Sequence, residues 1–193
     1  MPIDPSDEEE KYFHAVDVEA RRKLRESLED NARKLEDAAK VAAALATDDV
    51  GLAAEIHALG FDGETAPALE VLPLVHVAWA DGKVHRRERA TILRVLEARG
   101  LAADHAAVKT IAALLDERPS DAFMHESLSL LRRLVARGGK AHEIVDQCVG
   151  VATAAGSLLG LGMRVSDEER RLIHEIAELL GPNSSDAIAA ELG

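Results

Sequence analysis

The sequence predicts an all-α protein, a two-repeat helical bundle preceded by a long N-terminal helix, and three observations carry that expectation. Apolar residues recur at helical spacing through most of the 193-residue chain, and no stretch shows the period-two alternation of a half-buried strand. Hydrophobic residues make up 47% of the chain but aromatics only 3%. The core must therefore be built from Ala, Leu, Val and Ile, of which Ala and Leu are strong helix formers. Finally, Ser, Thr and Asp caps and Gly or Pro stops punctuate the chain at helix-length intervals.

The first predicted element is the long helix, assigned to residues 1–46. Ser6 fits its N-cap and Glu9 the N3 position of a capping box, and Asp7, Glu8, Glu9 and Glu10 lie where the helix dipole favours negative charge. Tyr12, Phe13, Val16 and Ala20 form one apolar face. Leu24, Leu28, Asn31, Leu35, Ala38, Ala42 and Leu45 then follow at alternating steps of four and three, the spacing of a coiled-coil seam. Asn31 is the polar member that fixes register in such a seam. The helix either packs on its own domain or offers Leu24, Leu28, Asn31, Leu35 and Leu45 to a protein partner or a second copy of the chain.

Residues 47–64 read as a short helical linker. Thr47-Asp48-Asp49 starts a helix that ends near Leu59, with Gly60 at its C′ position. A helical domain is assigned to residues 65–182. Thr65 and Pro67 open it, and Pro73 either kinks the next helix or restarts it. Trp79 reads as a core anchor among small apolar neighbours. Asp81-Gly82 ends that helix. Further helices are predicted at 86–99, closed by Gly100, at 104–118, ended by Pro119, and from the Ser120 cap to Arg137. Another carries Ile144, Val145, Cys148, Val149 and Ala152. Ser166 caps a last long helix at 167–180, with Glu169 at N3. Residues 183–193 read as a short C-terminal helix or tail.

Two parts of the bundle look alike. Each has an apolar helix, a glycine turn, a valine (Val84, Val165), a capping residue (His85, Ser166), a Glu at N3 (Glu88, Glu169) and an Arg (Arg89, Arg170). Two such hairpins can pack as a pseudo-symmetric bundle. The run Trp79-Ala-Asp-Gly-Lys-Val-His-Arg-Arg-Glu88 resembles the hallmark of the TerB-like (tellurite-resistance) family, a helix ending in Ala-Asp-Gly followed by an aliphatic, a cap and an acidic first turn. The run from Gly156 to Glu169 and the Tyr12-Phe13-His14 region resemble the second half and the leader helix of a bacterial subgroup of that family. The resemblance covers about residues 69–180. It implies an all-helical fold, a non-enzymatic role in metal-ion or chemical-stress response, and metal binding through acidic residues at the paired turns. On the matching positions these are Asp81, Glu88, Asp167 and Glu169, with Ca²⁺ or Mn²⁺ as the implied divalent cation.

The residues themselves leave a second reading open. Asp81-Gly82 and Glu88 have the spacing of the end of an EF-hand loop, but its first and third positions would be Val77 and Trp79, which supply no side-chain ligand. The second repeat has Gly162-Met163 in place of Asp81-Gly82, and Lys83, Arg86, Arg87 and Arg89 surround Glu88. Capping alone accounts for Glu88 and Glu169, which would leave the chain without a cofactor. Arg86, Arg87 and Arg89 at a helix start form a candidate anion-binding cluster.

Other chemistry is disfavoured. The formal net charge is -12, which does not suit broad nucleic-acid binding. The single cysteine, Cys148, allows no intrachain disulfide and fits a cytoplasmic location. The N-terminal residues lack the basic and apolar regions of a signal peptide. The apolar run at 149–163 is shorter than the ~20 residues that span a bilayer. No His-x-x-x-His spacing occurs, and the run from Gly156 to Gly162 lacks the Gly-Lys-Ser/Thr ending of a phosphate loop. No nucleophile with a partnered base stands out. The expected function is a metal-responsive or scaffold module in stress response. The alternative is a protein that works by partner binding or oligomerisation through its N-terminal helix, without metal.

Overall fold

A computed structural model describes residues 7–138, 141–156 and 167–180. Among them there are helices and no strand. The first helix, α1 (Asp7–Ala44), is as long as its capping and seam pattern predicts; its expected cap, Ser6, lies outside the described residues. The seam divides along its length. Ala38, Val41, Ala42 and Leu45 are buried, whereas Leu24, Leu28 and Leu35 are exposed. The domain therefore claims only the last turns of α1.

Those turns are held by α2 (Val50–Ala58), which packs against them. Asp49 caps α2 as expected, its carboxylate accepting the backbone N–H of Leu52 at 2.9 Å. Just beyond α2, the chain passes so close to α1 that a Cβ added at Gly63 would lie 2.9 Å from Lys40 Cβ. Only glycine fits that approach without a shift.

A 3-10 helix, Ala66–Val71, then leads into α3 (Leu72–Ala78). Pro73 occupies the first turn of α3, where its missing N–H is not needed. The proline restarts the helix and does not kink one. α3 is the central strut: Leu72, Leu74, Val75, Val77 and Ala78 are all fully buried. Around it lie α4 (Arg86–Ala98), α5 (Ala106–Asp116), α6 (Asp121–Gly138), α7 (Ala141–Gly156) and α8 (Asp167–Leu180). The predicted 104–118 helix is shorter than expected because His105 takes the cap position, its Nδ1 accepting from the Ala107 N–H at 3.2 Å. Ser120 caps α6 through the Phe123 N–H at 3.2 Å.

One continuous apolar cluster runs from Val41 on α1 to Leu180 on α8. Trp79 anchors it as the sequence suggests, its indole N–H donating to the Leu114 carbonyl at 2.9 Å and tying α3 to α5. The two candidate repeats meet: α7 lies against both α3 and α4, and α8 against α3 and α7. The turn of the second repeat, with Gly162, Val165 and Ser166, lies outside the described residues, as does the 183–193 tail. Among the described residues, no helix is long and apolar enough to cross a membrane.

Candidate functional site

The turn between α3 and α4 is built by short-range hydrogen bonding. Gly82 has φ 87°, the left-handed conformation that reverses the chain after α3. Asp81 Oδ1 accepts the Lys83 N–H at 3.1 Å, and Asp81 Oδ2 lies 3.1 Å from His85 Nε2. His85 is the N-cap of α4, in extended backbone geometry. Its N–H donates to Glu88 Oε2 at 2.6 Å, so Glu88 makes the capping contact that the N3 position predicts.

That contact holds a carboxyl group indoors. Glu88 is only 2% exposed and Glu169, at the equivalent position of α8, 7%. The two side chains lie close enough for their contact to favour the protonated form of Glu88. Burial is the main cause that pushes the Glu88 carboxyl up to about 7; the His85 N–H works the other way, and the negative charges of Glu169 and Asp81 add to the rise. The pair joins the first turns of the second helix of each hairpin. Helix N-termini favour negative charge there, but two carboxylates at contact distance in a dry site cannot both ionise cheaply.

The structure thus brings together Glu88 and Glu169, with Asp81 near enough to act on Glu88. Asp167 stands two residues before Glu169 and is exposed, consistent with i and i+2 lying on different helix faces. Among the described residues, no group of three or more His, Cys, Asp or Glu side chains is arranged to hold a metal ion. The arrangement that exists is a pair of buried glutamates, Glu88 and Glu169. Two carboxylates can offer up to four oxygens to a hard cation, short of the roughly six to eight that Ca²⁺ takes.

The basic residues of the same turn face elsewhere. Arg89 forms an ion pair with Asp116 on α5 at 2.6 Å. Lys83, Arg86 and Arg87 are exposed. The expected anion cluster is therefore divided, the Arg89 guanidinium reaching across to α5. The His85–Asp81 contact was not singled out from the sequence, although its i, i+4 spacing is a usable signal. A cavity of about 400 Å³ lies apart from the carboxyl pair, lined by Leu45, Pro67, Glu70, Arg99, Leu101 and Glu143 among others. Its charges largely answer one another, Arg99 reaching Glu70 at 2.7 Å and Glu143 at 3.9 Å. Cys148 is fully buried, and burial raises its thiol far above the usual range, leaving it inert.

No curated protein and no solved structure matches the chain. A family model described as tellurite resistance protein TerB matches residues 66–192. That match spans well over half of the sequence and takes in both carboxyl-bearing turns, and the chain belongs to the TerB family.

Proposed function

We propose that this protein is a non-enzymatic TerB module that takes a divalent cation at the Glu88–Glu169 pair and serves tellurite-resistance-type stress response as a metal-responsive or scaffold protein. The observation that carries this reading is the pairing itself. Two glutamates at the first turns of helices from separate hairpins are buried near each other, and their contact favours a proton on Glu88. A divalent cation replacing that proton would satisfy both charges, with Asp81 the nearest further carboxylate and Asp167 available at the rim of the same helix start. Cation binding would then tighten the contact between the two hairpins.

The test is a thermal melt of the intact chain with Ca²⁺ or Mn²⁺, above and below neutral pH. Binding to the folded state raises the midpoint as cation concentration exceeds the dissociation constant. The rise should be larger at pH 8, where no proton competes, and should vanish in Glu88→Gln and Glu169→Gln. No shift in wild type at millimolar cation removes the metal reading.

A second reading is favoured by a different observation. The outer stretch of α1 leaves Leu24, Leu28 and Leu35 about 60% exposed (61%, 59% and 63%) on a helix that the domain grips only at its other end. In this reading α1 is an interaction arm. Removing residues 1–36 would then change the mass of the assembly measured by light scattering while the domain stays folded.

A further inference from the structure

We infer that His76 is an acid sensor built into the bundle: uptake of a proton by its ring loosens the packing of α6 and α8 on α3. His76 is the single ionisable side chain of α3, the helix that lies against each of α4 to α8. Its neighbours Leu72, Leu74, Val75, Val77 and Ala78 are fully buried. The ring shares that interior. Its Nδ1 is shut off from solvent and has no hydrogen-bond partner among the described residues. A neutral imidazole can leave such a nitrogen as an unused acceptor. Protonation makes both ring nitrogens donors, and a charged donor buried without an acceptor costs far more than a neutral one.

The surrounding charges show where relief would come from. Burial is the main cause that holds the His76 ring below the ordinary histidine range, and Arg118, just past α5, adds to it. Asp121 at the start of α6 and Glu175 on α8 work the other way, although Asp121 already accepts from Arg118 at 3.1 Å. On the other elements packed against α3, Glu70 pairs with Arg99 and Asp116 with Arg89. Glu88 and Glu169 lie near each other at the first turns of α4 and α8, and α7 buries Val145, Cys148, Val149 and Ala152. The carboxylates that act favourably on a charged ring therefore stand on α6 and α8. Bringing Nδ1 to them, or to water, means parting those helices from α3.

The direction with pH follows. A histidine that resists protonation in the folded chain contributes stability that is complete above its ordinary value, 6.5, and is lost as pH falls below it.

Hydrogen exchange of the intact chain tests this against His76→Gln, whose side chain stays neutral at every pH. Compared at one pH, the two proteins share the same intrinsic exchange chemistry. Near pH 7.5 the amides of α6 and α8 should be protected alike. Near pH 5.5 those of the wild type should exchange several-fold faster, and its denaturant midpoint should fall relative to the variant. Equal protection at both pH values overturns the proposal. So does a relative gain of protection by the wild type in acid, the outcome if Asp121 or Glu175 captures the charged ring in place. Should His76→Gln not fold, NMR titration of the wild-type ring decides. A ring that titrates at 6.5 or above overturns the proposal, and one that titrates below it while α6 and α8 lose protection ahead of α2 supports it.

Discussion

Glu88 concentrates the electrostatic cost of this fold in one side chain. In the folded chain its carboxyl holds a proton up to about pH 7, whereas an exposed glutamate releases it near 4.5. Between those values the folded state binds more protons than the unfolded one, so the contribution of this group to stability is complete below about pH 4.5 and is lost as pH rises through 7. The loss is up to about 3 kcal/mol. Gln at this position can still accept the His85 N–H and can donate to Glu169, imitating the protonated acid at every pH. Glu88→Gln is therefore expected to match wild type in denaturant unfolding at pH 5 and to exceed it by up to about 3 kcal/mol at pH 8. Parallel pH profiles for the two chains would refute the assignment. Carboxylates remote from Glu88 contribute equally to both chains and cancel in the difference. The capping box told where Glu88 and Glu169 sit on their helices; their meeting was expected from the repeat and the family resemblance, whereas their burial was not, because a cap is ordinarily a surface device and burial depends on how α3, α7 and α8 stack.

At the scale of elements, the boundaries followed residues with a clear steric or hydrogen-bonding role. Pro73 left two outcomes open in the sequence. The choice of restart over kink was set by the tight 3-10 turn before it, which buries Ala66, Ala68, Leu69 and Val71 at once. The contact of Gly63 with Lys40 left no trace in the sequence, since nothing local marks a glycine as the floor beneath another helix. Gly63→Ala should push the linker off α1. A loss of about 1–3 kcal/mol in equilibrium unfolding is expected, the usual range for overpacking, and an unchanged midpoint would show that the linker can yield. Asp49→Ala removes the carboxylate that caps α2 and should cost about 1 kcal/mol, measured the same way. A larger loss would mean that the α2 cap also supports the adjoining α1 turns.

For the whole molecule, the most consequential division falls inside α1. The sequence places its helix correctly, from the acidic start to the end of the seam, yet the heptad pattern runs unbroken through the point where the domain begins. Leu35 and Ala38 are successive seam positions, one 63% exposed and the other fully buried. Periodicity records which face is apolar and is silent about what covers it. Truncation separates the two parts. Deleting residues 1–36 should leave the melting temperature of the domain nearly unchanged. Deleting residues 1–46 removes Ala38, Val41, Ala42 and Leu45 from the core and should lower stability by several kcal/mol, given about 25 cal/mol per Å² of apolar surface exposed. Equal melting of the two truncated chains would show that the end of α1 is dispensable to the domain. The family resemblance, by contrast, was readable because it rests on short linear signals, Ala80-Asp81-Gly82 and the N3 glutamates, which sequence carries directly.

The chain's one tryptophan stands two residues before Asp81, with its indole bonded across to α5. Its near-ultraviolet emission consequently supplies a built-in optical gauge of events at the α3–α4 turn. An occupant that shifts the α3–α4 turn relative to α5 would change the surroundings of that ring, and a fluorometer can follow the change without an added label.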